Sequence, residues 1–319
     1  MNTNVKTEEK INNNQNIEKI EMLPFNEKNI LIEDYNSDSS DDDKYFNISQ
    51  IKESIQIPKE YMNIIYKNLL IEEEKGLNPK VLYNCLDTQL EINEQMRGVL
   101  IDWIIDVHFK FNFTDETLYM TVLIIDRYLS ICQIPKISFQ LLGITAMLIA
   151  CKHEEIELLK VEDFIYITDN AYTKDEVFQM ENNILNAFKF ELLYPSPIKF
   201  YEYLSLNFNF DKLQNLTGKY LMETFVLDIQ YNKYKPSIIA CACAYIVMKF
   251  YKIQSYQEAY DKKFYNLDIK EYKFDEHDVK ECAKEICFYV DNIDRTSFIS
   301  CKNKYSKDEN KRVALIVEG

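Results

Sequence analysis

The chain has 319 residues and a formal net charge of −15, and hydrophobic residues make up 47% of it. Such an acidic surface repels the phosphates of nucleic acids and the anionic face of a membrane, so we expect neither as a partner. The hydrophobic fraction supports a sizeable core. Only 5 glycines and 7 prolines argue against an all-β fold, whose turns need these residues. An all-α fold with long helices and few special turns is therefore predicted.

The cysteines and the hydropathy pattern indicate where the protein resides. The eight cysteines include no C-x-x-C pair, and most lie in apolar helical runs, as small hydrophobic side chains do in a reducing compartment. The first ten residues lack the apolar core of a signal peptide, and no uncharged stretch reaches membrane-spanning length. We therefore expect an intracellular protein.

Residues 1–55 are rich in Asn, Lys and Glu and include an acidic run at 37–43. A segment of this composition buries too little apolar surface to offset its ordering entropy, so a disordered acidic tail is predicted. Ser39 and Ser40 each have an Asp three residues further on, the pattern that acid-directed kinases prefer. A solvated tail without modification is an equally good interpretation.

An amphipathic helix is predicted from Pro58 onward. Tyr61, Ile64, Ile65 and Leu69 have helical spacing, with Glu and Lys between them. The run 76–79, Gly-Leu-Asn-Pro, ends this helix.

Two helical units of similar pattern follow. The third helix of each unit is strongly apolar and rich in small residues, which let neighbouring helices approach closely. These two helices lie roughly a hundred residues apart, so a duplicated five-helix bundle is predicted. The predicted helices are 95–111, 114–131, 137–153, 161–169 and 173–188 in the first unit, and 196–207, 213–231, 236–251, 255–263 and 276–291 in the second. The predicted boundaries are 1–55 for the tail, 56–193 for the N-terminal helix and first unit, 194–295 for the second unit, and 296–319 for a C-terminal tail.

No motif for catalysis or for binding of a cofactor is visible. Glycine-rich phosphate loops are absent, and none of the three histidines lies in a metal-binding spacing, so we expect no cofactor, no metal and no enzymatic activity. A helical enzyme with the paired carboxylates Glu154 and Glu155 is the contrasting hypothesis. Adjacent residues on a helix point in different directions, which makes this pair a poor acid–base couple.

The run 96–107 is apolar on nearly all sides of a helix, and Met96, Leu100 and Trp103 form one stripe on it. From the pattern alone, core packing is the favoured interpretation of this stripe. Arg97 and Asp126 are charges inside strongly apolar helices, and a charge there is costly unless paired. We predict a structural ion pair between them that braces the first helix of the unit against the second.

Residues 96–103 read M-R-G-V-L-I-D-W and resemble the M-R-x-I-L-[VI]-D-W signature that opens the cyclin box. The K-H-E-E run at 152–155 is similar to the family motif K-[FY]-E-E, and the segments 116–130, 140–147, 166–173, 219–223 and 236–240 continue the resemblance. It covers about residues 60–295 and is closest to mitotic cyclins of the B type. Tandem cyclin boxes are the fold that it implies.

The resemblance implies a regulatory subunit that binds and allosterically activates a cyclin-dependent kinase as a heterodimer, docks substrates, and controls G2/M progression from the nucleus and cytoplasm. A cyclin-box protein acting in transcription is the alternative. By resemblance, the residues that hold the kinase are Lys152, Glu181, Ile149, Leu185, Phe190 and Leu192. By resemblance, the patch that docks substrates or inhibitors with an R-x-L motif comprises Met96, Leu100, Trp103, Gln140 and Lys136. His153 departs from the aromatic residue of the motif.

One element expected of a mitotic cyclin is missing. No Arg precedes Arg97, so the N-terminal R-x-x-L destruction box is absent, and the chain has no K-E-N run. Near the C-terminus, residues 312–315 have the R-x-x-L spacing, which is a weak four-residue match. The sequence leaves the degradation signal open.

Overall fold

A computed structural model describes residues 59–77, 79–253 and 275–318 of the chain. The acidic tail predicted at 1–55 and the helix predicted at 255–263 lie outside these residues. Within them the structure is all-helical, which confirms the predicted fold class. None of the described helices combines the length and hydropathy that a membrane crossing requires.

The first unit follows two N-terminal helices, α1 (Lys59–Lys75) and α2 (Pro79–Tyr83). Its five helices have the predicted order, with bounds that differ by a few residues from the predicted ones. They are α3 (Glu94–Lys110), α4 (Asp115–Ile131), α5 (Phe139–Glu154), α6 (Val161–Ile167) and α7 (Lys174–Ala187). The helix α7 begins with the predicted capping box, in which Thr173 accepts a hydrogen bond from the backbone of Glu176.

The second unit begins after the linker at 193–196. Its described helices are α8 (Pro197–Phe208), α9 (Lys212–Phe225), α10 (Pro236–Phe250) and α11 (Glu276–Asn292). The helix predicted at 213–231 ends earlier, at Phe225, and a short 3₁₀ turn (Ile229–Lys233) follows it. The carboxylate of Asp228 accepts the backbone N–H of Gln230 and caps this turn, which explains the break.

The two helices rich in small residues are the centres of their units. Every residue of α5 from Phe139 to Cys151 is buried, and α5 packs against α3, α4, α6 and α7. In the second unit α10 packs against α8, α9 and α11. A Cβ atom at Gly143 of α5 would lie 2.7 Å from Leu100 Cδ1, so any other residue here would require Leu100 to shift.

The helix α1 forms as predicted, but the stripe used to predict it is not its buried face. Tyr61, Ile64 and Ile65 are between 42% and 56% exposed. The buried face carries Tyr66, which stacks on Tyr203 of α8 with ring centroids 4.1 Å apart. It also carries the residues Leu70 and Glu73. The buried face is therefore displaced by about one residue from the predicted stripe, roughly 100° around the helix, because large apolar residues occur on both faces.

Glu73 is a buried carboxylate that ties α1 to the second unit. It accepts hydrogen bonds from the backbone N–H of Ser237 at 2.8 Å and from the Ser237 hydroxyl at 2.5 Å. Both donors lie in the first turn of α10, where the helix dipole favours a negative charge. Burial raises the pKa of Glu73, although the bonds from Ser237 oppose this shift.

The C-terminal residues pack onto both units. Two short helices, α12 (Ser300–Tyr305) and α13 (Val313–Glu318), follow a 3₁₀ turn at 293–295. The ring of Phe298 lies against Gly98 of α3, where a Cβ atom would be 2.3 Å from its Cζ. Ser300 donates through its backbone and hydroxyl to Asp102 at 3.0 and 2.9 Å. The segment 296–319, predicted as a C-terminal tail, contributes several buried side chains. They are Cys301, Lys304, Tyr305, Val313 and Ala314.

Candidate functional site

Lys152 and Glu181 form an ion pair at the surface of the first unit. The Lys152 Nζ lies 2.6 Å from Glu181 Oε1, and the side chains are 43% and 15% exposed. Lys152 is in the last turn of α5, where the dipole favours a cation, and Glu181 is in the middle of α7. The packing of α5 against α7 therefore brings the two side chains together, and both remain accessible to a partner.

The other residues predicted for this surface differ in exposure. Ile149 is buried and contributes to the core beneath the pair, while Leu185 and Leu192 are half-buried. Phe190 is 67% exposed. The structure adds three strongly exposed aliphatic residues that the sequence analysis did not select: Ile156, Leu158 and Leu193. Ile156 and Leu158 follow the K-H-E-E motif directly, and Leu193 is the first residue of the linker, so their positions were an available signal.

The backbone that presents Phe190 is strained. Lys189 and Phe190 have φ values of 52° and 62°, in the left-handed region that residues with a Cβ atom disfavour. Here α7 ends in a Schellman motif: the Phe190 N–H donates to Leu185 O and the Lys189 N–H donates to Asn186 O. Glycine is the usual residue at such a position. A bulky aromatic residue held outward at this cost marks a candidate functional surface.

The acidic pair Glu154 and Glu155 has two separate roles. Glu155 Oε1 accepts from the Thr114 N–H, the Thr114 hydroxyl and the Thr117 hydroxyl at 2.6–2.8 Å. It thus caps α4, and Thr114 makes no side-chain cap of its own. Glu154 lies 2.9 Å from His153 Nδ1. Glu155 lies just past the end of α5 in extended backbone, and the two carboxylates have different partners, which argues against an acid–base couple.

The predicted docking stripe is mostly buried. Leu100 is fully buried, and Met96 and Trp103 are 5% and 8% exposed. Gln140 is 9% exposed and Lys136 lies at the exposed rim. Two donors in this stripe, Trp103 Nε1 and Gln140 Nε2, have no hydrogen-bond partner. A buried donor without an acceptor costs about 1–3 kcal/mol.

Arg97 and Asp126 form a fully buried bidentate ion pair, with Arg97 Nε and Nη2 each 2.7 Å from a carboxylate oxygen. The guanidinium also donates to Val226 O at 3.1 Å, and Asn232 of the second unit donates to Asp126 at 2.8 Å. The pair therefore braces α3 against α4, as proposed from the sequence, and also joins the first unit to the second.

A second set of charges crosses between the units. Asp115 at the start of α4 lies 2.6 Å from Lys219 of α9. Although burial acts to raise it, the neighbouring Lys219 and Lys304 lower the pKa of Asp115 to about 2. Lys304 also pairs with the buried Glu223 at 2.7 Å. His108 donates from Nε2 to Thr114 O at 2.8 Å, a structural role, and burial lowers its pKa.

One group of side chains among the described residues has metal-ligand spacing: His277, Asp278 and Glu281, whose ligand atoms lie within 4.8 Å of one another. His277 is 78% exposed, and Glu281 is paired with Lys233 at 3.3 Å. The arrangement matches an ordinary surface ion-pair cluster on an exposed helix face.

Comparison with known proteins identifies the fold and the family. Residues 64–193 match the cyclin N-terminal domain and residues 195–319 match the cyclin C-terminal domain. The chain belongs to the cyclin family. It is 34% identical over 265 residues to G2/mitotic-specific cyclin-B2 of Oryzias luzonensis, covering 82% of this chain and 65% of that protein. It is 35% identical over 268 residues to the Homo sapiens cyclin-B2, covering 83% and 64%.

The chain thus spans a little under two thirds of the length of these B-type cyclins. Among solved structures, the cyclin fold is shared with a viral cyclin from herpesvirus saimiri, with a TM-score of 0.54 and 16% identity. That match covers 76% of this chain and 97% of the viral cyclin. Two tandem cyclin domains are therefore the architecture of this chain.

Proposed function

We propose that this cyclin binds and allosterically activates a cyclin-dependent protein kinase and acts in cell-cycle control at G2/M. The observation that carries the proposal is the accessible Lys152–Glu181 pair beside exposed apolar side chains. The similarity to G2/mitotic-specific cyclins supports the kinase class and the stage.

The exposed apolar side chains favour a protein partner over solvent. Ile156, Phe190 and Leu193 are 74%, 67% and 85% exposed. The end of α5 and the linker at 192–194 border one cavity, so Leu193 lies close to the K-H-E-E motif. A cluster of large apolar side chains around a polar pair is typical of an interface core.

The chain acts in this scheme as a regulator that supplies no catalytic group. Lys152 and Glu181 each have a partner within the chain, and both can also bond helix ends and backbone groups of a kinase. Binding stabilises the active kinase conformation, in which the kinase's own regulatory helix pairs its Glu with the catalytic Lys. The free energy for this shift comes from the surface that the two proteins bury.

The test is affinity capture of a mitotic cyclin-dependent kinase by Lys152→Ala/Glu181→Ala, followed by an assay of histone phosphorylation. The kinase would remove this pair from solvent, so truncating both charges is expected to weaken kinase binding at least ten-fold. The matched control is Lys174→Ala/Glu162→Ala, because that pair also has an Nζ–Oε1 distance of 2.6 Å but lies elsewhere on the unit. Equal kinase binding and activation by both double variants would contradict the proposal.

We extend the proposal to docking of substrates with an R-x-L motif at the Met96–Leu100–Trp103 floor. The unpartnered donors on Trp103 and Gln140 suit the carbonyl groups of an extended peptide. Removing the buried side chains themselves would destabilise the fold by about 2–5 kcal/mol each, so a gentler change is needed.

Gln140→Met keeps the side-chain volume and removes the donor. We expect this variant to raise the KM of a substrate peptide with an R-x-L motif roughly ten-fold, as loss of one or two hydrogen bonds does. The KM of the same peptide with the motif changed to A-x-A should stay unaltered. If both peptides respond equally, or neither does, the docking assignment is wrong.

A further inference from the structure

A cavity of about 240 Å³ lies where the two cyclin domains meet. It is bordered by α1, α4, residues 192–197 and the start of α10. Protein interiors contain few voids larger than a water molecule, and ligand sites are frequent at the junction of domains. This volume has room for a compact organic molecule of about a dozen non-hydrogen atoms.

The wall of the cavity is mainly apolar and aromatic. It is built by aliphatic side chains, proline rings and tyrosine rings, among them Leu69, Leu123, Ile239, Pro195, Tyr194 and Tyr231. Buried water needs two to four polar partners, which a wall of this kind supplies poorly. A flat aromatic molecule fits these surfaces better, since proline and tyrosine both pack against ring faces.

The charges of the cavity have mostly one sign. Glu72, Glu116 and Glu154 line it. Lys75 pairs with Glu72 at 3.1 Å and Lys199 lies 3.9 Å from Glu154, so among the described residues Glu116 is the lining glutamate without an ion pair. Asp126 also borders the cavity, but its oxygens are engaged by Arg97 and Asn232. A carboxylate excess in a partly desolvated cavity repels anions and attracts cations, and a cation over tyrosine faces is further stabilised.

Three residues of the wall carry hydroxyl groups without a hydrogen-bond partner, namely Tyr119, which is 3% exposed, Ser196 and Tyr234. Ser196 occupies the N-cap position of α8 but makes no side-chain cap. These oxygens are shielded from the cavity, so they are a polar cost of the wall and add no contact to a ligand.

We infer that this cavity is a binding site for a compact aromatic molecule that carries one positive charge. The cavity shares Leu192 and Leu193 with the proposed kinase surface, so binding is measured on the chain without a kinase. The inference itself depends on the aromatic wall and on Glu116, and not on the Lys152–Glu181 pair. The aromatic part lies between the proline and tyrosine rings, and the charged group faces Glu116.

The test uses the full chain and two probes of the same size and opposite charge, tryptamine and indole-3-acetate, titrated by saturation-transfer NMR and calorimetry. Ligand efficiency for roughly 12 non-hydrogen atoms gives an expected Kd for tryptamine on the order of 1 mM. Indole-3-acetate should bind at least ten-fold more weakly. Glu116→Gln should reduce the affinity for tryptamine and narrow the difference between the probes.

A cavity-filling variant locates the binding. Leu123→Trp is expected to abolish the tryptamine signal, and circular dichroism checks that it folds. If it does not fold, Glu116→Gln decides the question alone. Equal affinity for both probes, no saturable binding of tryptamine, or unchanged binding to Glu116→Gln or to a folded Leu123→Trp would each overturn the inference.

Discussion

Replacing Phe190 with asparagine should make the cyclin more stable and a poorer kinase activator. Phe190 has φ 62° and is 67% exposed, so its side chain contributes little to the core and its backbone is strained. Asparagine tolerates the left-handed region far better than a bulky aromatic residue. Relief of this strain is worth about 1 kcal/mol in the free energy of unfolding.

The same substitution should weaken binding to the kinase. Burying a phenylalanine side chain stabilises by about 1.5–3 kcal/mol, and two thirds of this ring is still exposed in the free chain. Phe190→Asn should therefore weaken kinase affinity by about 1.5 kcal/mol, roughly ten-fold. Urea denaturation measures the gain in stability, and calorimetric titration with the kinase measures the loss of affinity.

Lys189→Asn is the matched control. Lys189 has φ 52° in the same turn, so its replacement should give a similar gain in stability. Its side chain is not among the apolar residues of the kinase surface, and kinase affinity should stay within about two-fold. Equal losses of affinity in both variants would attribute the effect to the turn and refute the role of the ring. A loss of stability in Phe190→Asn would refute the strain argument.

Three further substitutions test the contacts that hold the helices and the two units together. Asp126→Asn leaves the fully buried guanidinium of Arg97 without its counter-charge and should lower the free energy of unfolding by about 3–5 kcal/mol in urea. Gly98→Ala places a Cβ atom 2.3 Å from the Phe298 ring and should cost about 1–3 kcal/mol, most of which a second change, Phe298→Leu, restores in a double-mutant cycle. The folded-state pKa of Asp115, about 2, lies below its unfolded value near ~3.9, so its contribution is present above pH ~4 and lost as pH falls through ~2. The stability gap between the wild type and Asp115→Asn should therefore be constant from pH 7 to 5 and shrink below pH 4 in denaturation series, and a gap that widened there would contradict this.

The all-helical fold could be predicted because local signals agree with one another. Small residues on an apolar helix identified α5 and α10 as central, and Thr173 followed by Glu176 identified the start of α7. These signals depend on neighbours within one or two turns. Where the decisive contact is distant, prediction failed: the buried face of α1 is chosen by Tyr203 and Ser237, more than a hundred residues away.

The scarcity of glycine was misleading about turns. It suggested few special turns, yet nine residues other than glycine among the described ones have positive φ, including Asn112, Asp169 and Asn209. Asparagine and aspartate, whose short polar side chains tolerate this region, account for four of the nine, and lysine, arginine and phenylalanine account for the other five. Gly98 and Gly143 are instead placed where a Cβ atom would collide with Phe298 or Leu100. Glycine in this chain therefore serves close packing, which composition alone does not indicate.

The structure was needed to divide the charged residues on apolar helices into those that stabilise the fold and those that lie on a binding surface. Arg97 and Lys152 are both cations that follow apolar residues, and both pair with an acid 29 positions further along the chain. The Arg97 pair is fully buried and bound to second-unit groups, so its loss is expected to affect folding. The Lys152 pair is 43% and 15% exposed beside strained and exposed apolar residues, so its loss is expected to affect binding. The sequence spacing is identical in the two cases. Only the packing around each pair shows which one stabilises the fold and which one is available to bind a partner.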